Sequence, residues 1–399
     1  MIVLNCEISI QLLCWVIIKH KFWFTRDDNL LAVYFLNTLL KPTWQLPNRF
    51  VPSAQKQYLK SLERLSIYRV TKYLKRRVFF DLAMVFFGRG RLLNKISTKH
   101  RRILWVNLAA PSLGDSLMDL AARTLLHDRN LTLLTDPKNA QLYENDRFFS
   151  EVYTSARCVR ESSRSKPFDL VICDAFAPRV LLKKIFAAPW VDFVGLYGFL
   201  NGFEVHRTYF AFARMMDLLA INEVDSTDKP QCPTIFVPTS SQDLPDVDVC
   251  IAVGGEWSFR TYDNWLAIVS CLISRGYSVS LVGSGNGVRE AQRIEEKFPL
   301  VRSSVGKLPV REVISEISRS KFFIGADGGL WHIACSIPIP TIVLFADCQI
   351  FDEDGNRVTR ETNDMLCETL YDEYMVSNIG THEVVEAFER LRNRVDVAS

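Results

Sequence analysis

The stretch Lys321-Phe-Phe-Ile-Gly-Ala-Asp-Gly-Gly-Leu-Trp-His-Ile-Ala-Cys-Ser336 decides the reading of the fold. An apolar run stops at an acid and two glycines, and a helix-like segment carrying His332 follows. This is the order of a strand, a tight turn and a helix in a parallel sheet, where ligands sit beyond the carboxyl ends of the strands. Gly328 and Gly329 let backbone come close to a ligand, and the helix after them directs free amides and a positive dipole end at it. Asp327 is placed to cap that helix. These features fit a diphosphate site, and they equally fit a tight turn with no ligand.

The same alternation recurs in both directions from this stretch. Downstream, Pro340–Phe345 reads as a further strand and residues 382–395 as an amphipathic closing helix. Upstream, residues 247–255 and 277–285 each run from an apolar strand into a glycine turn. Before them, residues 222–247 hold four prolines among polar residues and read as a linker. An earlier set begins at Arg102, with strand candidates at 102–109, 131–136, 168–175 and 191–196, and helices at 111–126 and 210–219. Strands alternating with helices predict parallel α/β sheets. The expected domains are an extension over 1–100, a Rossmann-like unit over 101–225, a linker over 226–246 and a second Rossmann-like unit over 247–399.

Residues 1–100 differ from the rest. Between Lys41 and Arg102 stand 16 lysines and arginines against two acids, so this segment carries +14 while the whole chain carries only +3. The run from Gln55 to Phe80 interleaves Tyr58, Leu62, Leu65, Tyr68, Val70 and Leu74 with basic residues near helical spacing. Two readings stand: a helix lying on an anionic membrane surface, or a helix packed on the next domain with a solvated basic face. No nucleic-acid motif accompanies the charge, and charge alone is nonspecific. The apolar start, Met1 to Ile18, contains Asn5, Glu7 and Gln11 and lacks the features of a signal peptide. It is short for a membrane span, which needs about 20 apolar residues. Ten scattered cysteines, with no zinc spacing, read as reduced thiols in a cytoplasmic protein.

A second loop, Ser112-Leu-Gly-Asp-Ser-Leu117, lies between a strand and a helix. Asp115 stands either at the ligand edge of the sheet or as a plain helix cap. Gly114-Asp115-Ser116-Leu117 also spells the nucleophile block of GDSL-type esterases, with Ser116 as nucleophile. That chemistry needs a histidine held by an acid to activate the serine. The family's Asp-x-x-His pair and Gly-x-Asn-Asp block are both missing, so the esterase is rejected.

Taken together, the loops resemble glycosyltransferase family 9, the ADP-heptose:lipopolysaccharide heptosyltransferases. The likeness spans about Arg102 to Val395 and is densest from Gly306 to Phe345: a Gly-Lys, a helix, a strand, Asp-x-Gly-x-x-His-x-Ala and a proline before the last strand. The Leu113-Gly114-Asp115 loop is a second match, and Phe203 to Phe210 a weaker third. The resemblance implies a GT-B fold, two Rossmann-like domains facing across a cleft. It implies a nucleotide diphosphate on the Asp327, Gly328, Gly329 and Leu330 turn, with His332 and Arg260 beside it. Arg260 falls where the family often carries a phosphate-binding lysine, and a guanidinium suits phosphate.

Across the cleft the resemblance makes Asp115 the general base of an inverting transfer, with Ser112 and Gly114 in the acceptor loop. Neither metal nor cofactor is expected. The implied donor is a nucleotide sugar, ADP-heptose favoured. The implied acceptor is the lipopolysaccharide core or another lipid-linked glycan of a bacterial inner membrane. Two departures stand out: Gly287 replaces the acid that usually meets the nucleoside, with Glu290 three residues late, and the basic extension lies outside the family pattern. They motivate the alternative of a non-catalytic relative that binds a nucleotide sugar or glycan at the membrane surface.

Overall fold

The computed structural model describes residues 67–86, 90–109, 112–198, 207–221, 234–237, 247–346 and 366–398. The chain forms two parallel sheets, each layered with helices. The first has strands β1 (Arg102–Asn107), β2 (Asn130–Thr135), β3 (Phe149–Tyr153), β4 (Leu170–Cys173) and β5 (Phe193–Gly195) in the order β3-β2-β1-β4-β5. Its helices are α1 (Ile67–Phe86), α2 (Leu113–Leu120), α3 (Pro137–Ala140), α4 (Ala156–Ser162), α5 (Pro178–Ala187) and α6 (Arg207–Leu219).

The second sheet has β6 (Val247–Ala252), β7 (Val279–Val282), β8 (Arg302–Ser303), β9 (Ser320–Ala326), β10 (Thr341–Ala346) and β11 (Cys367–Asp372), ordered β11-β10-β9-β6-β7-β8. With it run α7 (Trp265–Ser274), α8 (Val288–Lys297), α9 (Val310–Ser318), α10 (Gly329–Cys335) and α11 (Thr381–Ala398).

The central strands are apolar without alternation because helices cover both faces of each sheet. Every residue of β10, and all of β1 after Arg102, is buried. The strands expected around 102, 131, 168, 191, 247, 277, 321 and 340 all form, with ends shifted by a few residues. Strands β3, β8 and β11 were not expected, and all three stand at sheet edges. There the cue of a continuous apolar run is lost: β3 reads Phe-Ser-Glu-Val-Tyr and β11 Cys-Glu-Thr-Leu-Tyr-Asp.

Each sheet reverses its winding once. The first does so between β1 and β4, the second between β6 and β9. At such a switch the two following loops part and leave a crevice at the carboxyl edge. The loops carrying Asp115 and Asp327 follow β1 and β9, so the topology puts both at switch points.

The two units meet through α2 and α10. Leu113 and Leu117 of α2 share one apolar cluster with Trp331 and Ile333 of α10, and a separate cluster fills the opposite face of the second sheet around Trp265, Ile294 and Phe388. Between the units, Arg123 donates to the carbonyl of Thr234 at 2.6 Å, and Ile235 donates to that of Ser336 at 3.0 Å. Most of the expected linker lies outside the described residues.

The end of the basic extension packs onto the first sheet. Phe80 of α1 lies 4.9 Å from Phe176 and 6.2 Å from Phe193, ring centre to ring centre. Leu92 bridges β5 at Phe193 in parallel. Residues 1–66, with Tyr58, Leu62 and Leu65 of the expected amphipathic helix, lie outside the described residues, as do the side chains of Tyr68, Val70 and Leu74. Among the described residues no helix is long and apolar enough to cross a membrane.

Candidate active site

Ser112 caps α2: its hydroxyl accepts from the Asp115 amide at 3.1 Å. Asp115 is therefore not the cap but the third residue of the helix, and its carboxylate is left for other work. It is 34% exposed, with Arg207 Nη1 at 3.7 Å. Arg207, the first residue of α6, is fixed elsewhere. It grips the wholly buried Asp119 with Nε at 2.9 Å and Nη2 at 2.6 Å, and Tyr197 donates its hydroxyl to the same carboxylate at 2.6 Å. Burial opposes the charge on Arg207, but Asp119, Tyr197 and Asp115 outweigh it and hold the guanidinium well above its ordinary range. Asp115 and Asp119 are one helical turn apart, so one arginine reaches both.

The loop entering α2 is pinned from below by Asp174, at the end of β4. Its carboxylate accepts from the amides of Leu108 at 2.8 Å, Ala109 at 2.6 Å and Ala175 at 2.7 Å. Burial pushes this acid up to about 7, against those amide bonds. Ser116 points inward, donating to Asn107 Oδ1 at 2.7 Å with the Tyr143 hydroxyl at 3.1 Å. A buried serine spent on an amide and a phenol is no nucleophile, which removes the esterase on structural grounds.

On the other side, the cap of α10 is Gly328, with no side-chain cap bond. Asp327 does not cap the helix as expected, because its carboxylate is engaged elsewhere. It takes an ion pair from Arg260 Nε at 3.3 Å and has His332 Nε2 at 3.9 Å. Burial lowers the His332 pKa, against the pull of Asp327 and Asp115. Gly328 is extended, and a side chain there would meet only Ala326 O at 3.8 Å.

The two glycines that matter most here separate the loops. A Cβ on Gly114 would lie 2.3 Å from His332 Cδ2, and one on Gly329 would lie 3.3 Å from Leu113 Cβ. Glycine at 114 thus lets the Asp115 loop touch the histidine of the other sheet. The structure brings the turn of Ser112, Gly114 and Asp115 against that of Asp327, Gly328, Gly329, Leu330 and His332, with Arg260 on Asp327.

Where the nucleoside acid was missing in the sequence, Asn286 donates to the Gly255 carbonyl at 2.7 Å and closes the turn, while Glu290 is held by Arg293 at 2.8 Å. Among the described residues no three His, Cys, Asp or Glu side chains gather as metal ligands would. Asp119, Tyr197, Arg207 and Asp174 were not singled out from the sequence. The Asp115-to-Asp119 spacing was the one local signal, and nothing local links either acid to Arg207, which lies 88 residues beyond Asp119.

Residues 213–350 match the model for glycosyltransferase family 9 (heptosyltransferase). Over these residues the chain is similar to glycosyltransferase family 9. Solved structures agree on the fold. A family 9 glycosyl transferase from Veillonella parvula DSM 2008 superposes with a TM-score of 0.61 at 15% identity, over 75% of this chain and 99% of that one. The E. coli ADP-heptose lps heptosyltransferase II gives 0.56 at 16% identity, over 75% and 100%. The E. coli heptosyltransferase WaaC with ADP gives 0.53 at 16%, over 73% and 98%. No curated protein matches the chain by sequence. The chain has the GT-B fold, with two parallel-sheet Rossmann-like units.

Proposed function

We propose that the chain is a family 9 enzyme that transfers heptose from a nucleotide-diphosphate sugar, ADP-heptose being favoured, to the lipopolysaccharide core or another lipid-linked glycan. The transfer takes place on the cytoplasmic face of a bacterial inner membrane, inverts the anomeric centre and uses no metal. One observation carries the reading: the solvent-reaching carboxylate of the first switch-point loop, Asp115, faces the glycine turn of the second, with His332 between them. The structures with ADP and with ADP-2-deoxy-2-fluoro heptose are of E. coli WaaC, and they support the donor class by analogy.

In this reading the diphosphate rests on the Asp327–Leu330 turn, with Arg260 as a phosphate partner once it leaves Asp327. Asp115 accepts the proton of the acceptor hydroxyl as its oxygen bonds the anomeric carbon from the face opposite the leaving group. The bond from that carbon to the diphosphate oxygen breaks with its electron pair, and the departing nucleotide takes up negative charge. Amides of the turn and Arg260 stabilise that charge. Ser112 and Gly114 shape the acceptor side.

The test pairs a variant with two measurements. Asp115→Asn should lower transfer by about 10²–10⁴-fold, the usual contribution of a general base. The thermal shift given by excess ADP should match that of wild type. Unchanged transfer sinks the assignment of Asp115. A shift with UDP or GDP and none with ADP replaces the donor. Nucleotide binding without transfer by wild type favours the non-catalytic alternative.

A further inference from the structure

The first unit carries an apolar face that the active site does not use. On α1 the residues Phe80 and Ala83 turn inward, while Val78, Leu82 and Val85 turn outward, Leu82 at 48% and Val85 at 68% exposure. These outward positions recur at four and three residues, one stripe of the helix. Helix α5 packs beside α1 and repeats the arrangement. Val180, Leu181 and Ala187 are buried, whereas Leu182 and Phe186 face out, Phe186 at 60% exposure, with the exposed Trp190 just beyond. Two neighbouring helices that each bury one apolar stripe and expose another form more than scattered surface leucines, and such faces mark interaction sites.

The charge around this face selects its partner. Lys75 and Arg77 precede the α1 stripe, Arg179 and Lys183 lie among the α5 residues, and the exposed Arg91 stands by Asp192. Asp81 and Asp192 are the acids there, and they pair with Arg77 and Arg91 respectively. A second copy apposing the same face would bring like charges together, which opposes a symmetric contact. An anionic lipid surface answers both parts at once: headgroups take the basic residues while leucine, valine and phenylalanine enter the acyl boundary. Helix α5 also begins shortly after Cys173, the last residue of β4, so its first turn lies at the carboxyl edge of the sheet, the edge that carries the Asp115 loop.

We propose that the outward stripes of α1 and α5 dock this protein onto an anionic bilayer. The surface deepens the proposed reading, on which it rests only for the lipid-linked acceptor, because vesicle binding needs neither donor nor acceptor.

Flotation of the full chain with vesicles tests it, using phosphatidylcholine alone and phosphatidylcholine with about a third phosphatidylglycerol. Wild type should float with the anionic vesicles and not with the neutral ones, and salt at about 1 M should weaken the binding. Leu82→Glu combined with Phe186→Glu should reduce flotation about tenfold or more, with an unchanged far-UV spectrum and an unchanged ADP thermal shift. Leu300→Glu places the same charge at a 95% exposed leucine of the second unit and should float as wild type does. Wild type that ignores anionic vesicles overturns the proposal, as does a double variant that floats normally. A wild-type dimer split by the double substitution, with flotation unaltered, also overturns it and makes the face a contact between copies. Wild type that floats with anionic vesicles but transfers no sugar would strike the enzymatic reading alone.

Discussion

The two loops that meet at the crevice occupy equivalent places, each after a central strand at a reversal of winding, yet they are held by opposite means. The Asp115 loop stands on buried side chains: Asp174 beneath its amides, Ser116 on Asn107, and Arg207 clamped to Asp119. The Asp327 turn stands on backbone and glycine, and its side-chain partners are an arginine at 3.3 Å and a histidine at 3.9 Å. A group that must accept a proton in one direction benefits from a rigid mount, since small misplacements are costly to rate. A turn that must admit a diphosphate benefits from partners that let go. In the proposed reading the difference is that of a fixed base facing an adaptable anion site.

Three substitutions would break or sharpen that contrast. Arg207→Ala has the largest expected effect, because it leaves the buried Asp119 without its counter-charge and with only the Tyr197 hydroxyl as partner; about 3–5 kcal/mol of stability should go. Urea unfolding measures the loss, and transfer should fall with it as Asp115 loses its neighbour. Stability close to that of wild type would show that the side-chain mount is not what holds the first loop.

Asp174 offers a pH handle on the same mount. Its acid is raised by burial to about 7 in the folded chain, so the folded state holds a proton that the unfolded state releases near pH ~4. Stability from this group is full below that lower pH and drains as pH rises towards about 7, at up to about 1.4 kcal/mol per unit. Between those limits, thermal midpoints of wild type should fall with rising pH more steeply than those of Asp174→Asn. Parallel curves would mean that Asp174 is ionised throughout.

The smallest expected effect is on the second loop. Arg260→Ala removes a part-exposed ion pair, worth about 0–1 kcal/mol to the fold. ADP affinity should drop about tenfold or more, as for a lost charge-assisted contact, with no matching loss of midpoint in the free enzyme. A large loss of stability instead would make the turn as rigidly mounted as its counterpart.

Much of this was legible in the chain. The strand-to-turn-to-helix grammar around Lys321–Ser336 and Ser112–Leu117 located both loops, since apolar runs and glycines are local signals. The edge strands β3 and β11 were not legible, because strands of mixed polarity are recognised only by the neighbours they pair with. Nor were the caps. Ser112, not Asp115, caps the first helix, and Gly328, not Asp327, stands at the cap of the second. Both carboxylates turn to arginines instead, Asp115 to Arg207 and Asp327 to Arg260, and neither arginine is near its acid in the chain.

By itself the sequence determined the parallel α/β class, the two ligand-edge loops, the basic character of residues 41–102 and the likeness to family 9. Only the tertiary structure decided that Arg207 and Asp119 stand behind Asp115, that Gly114 seats His332, and that α1 and α5 lie side by side with their apolar stripes outward. The reason is physical: patterns of apolarity and glycine act over a few residues, whereas a buried ion pair or a shared surface exists only once the fold has closed the distance between segments far apart in the chain.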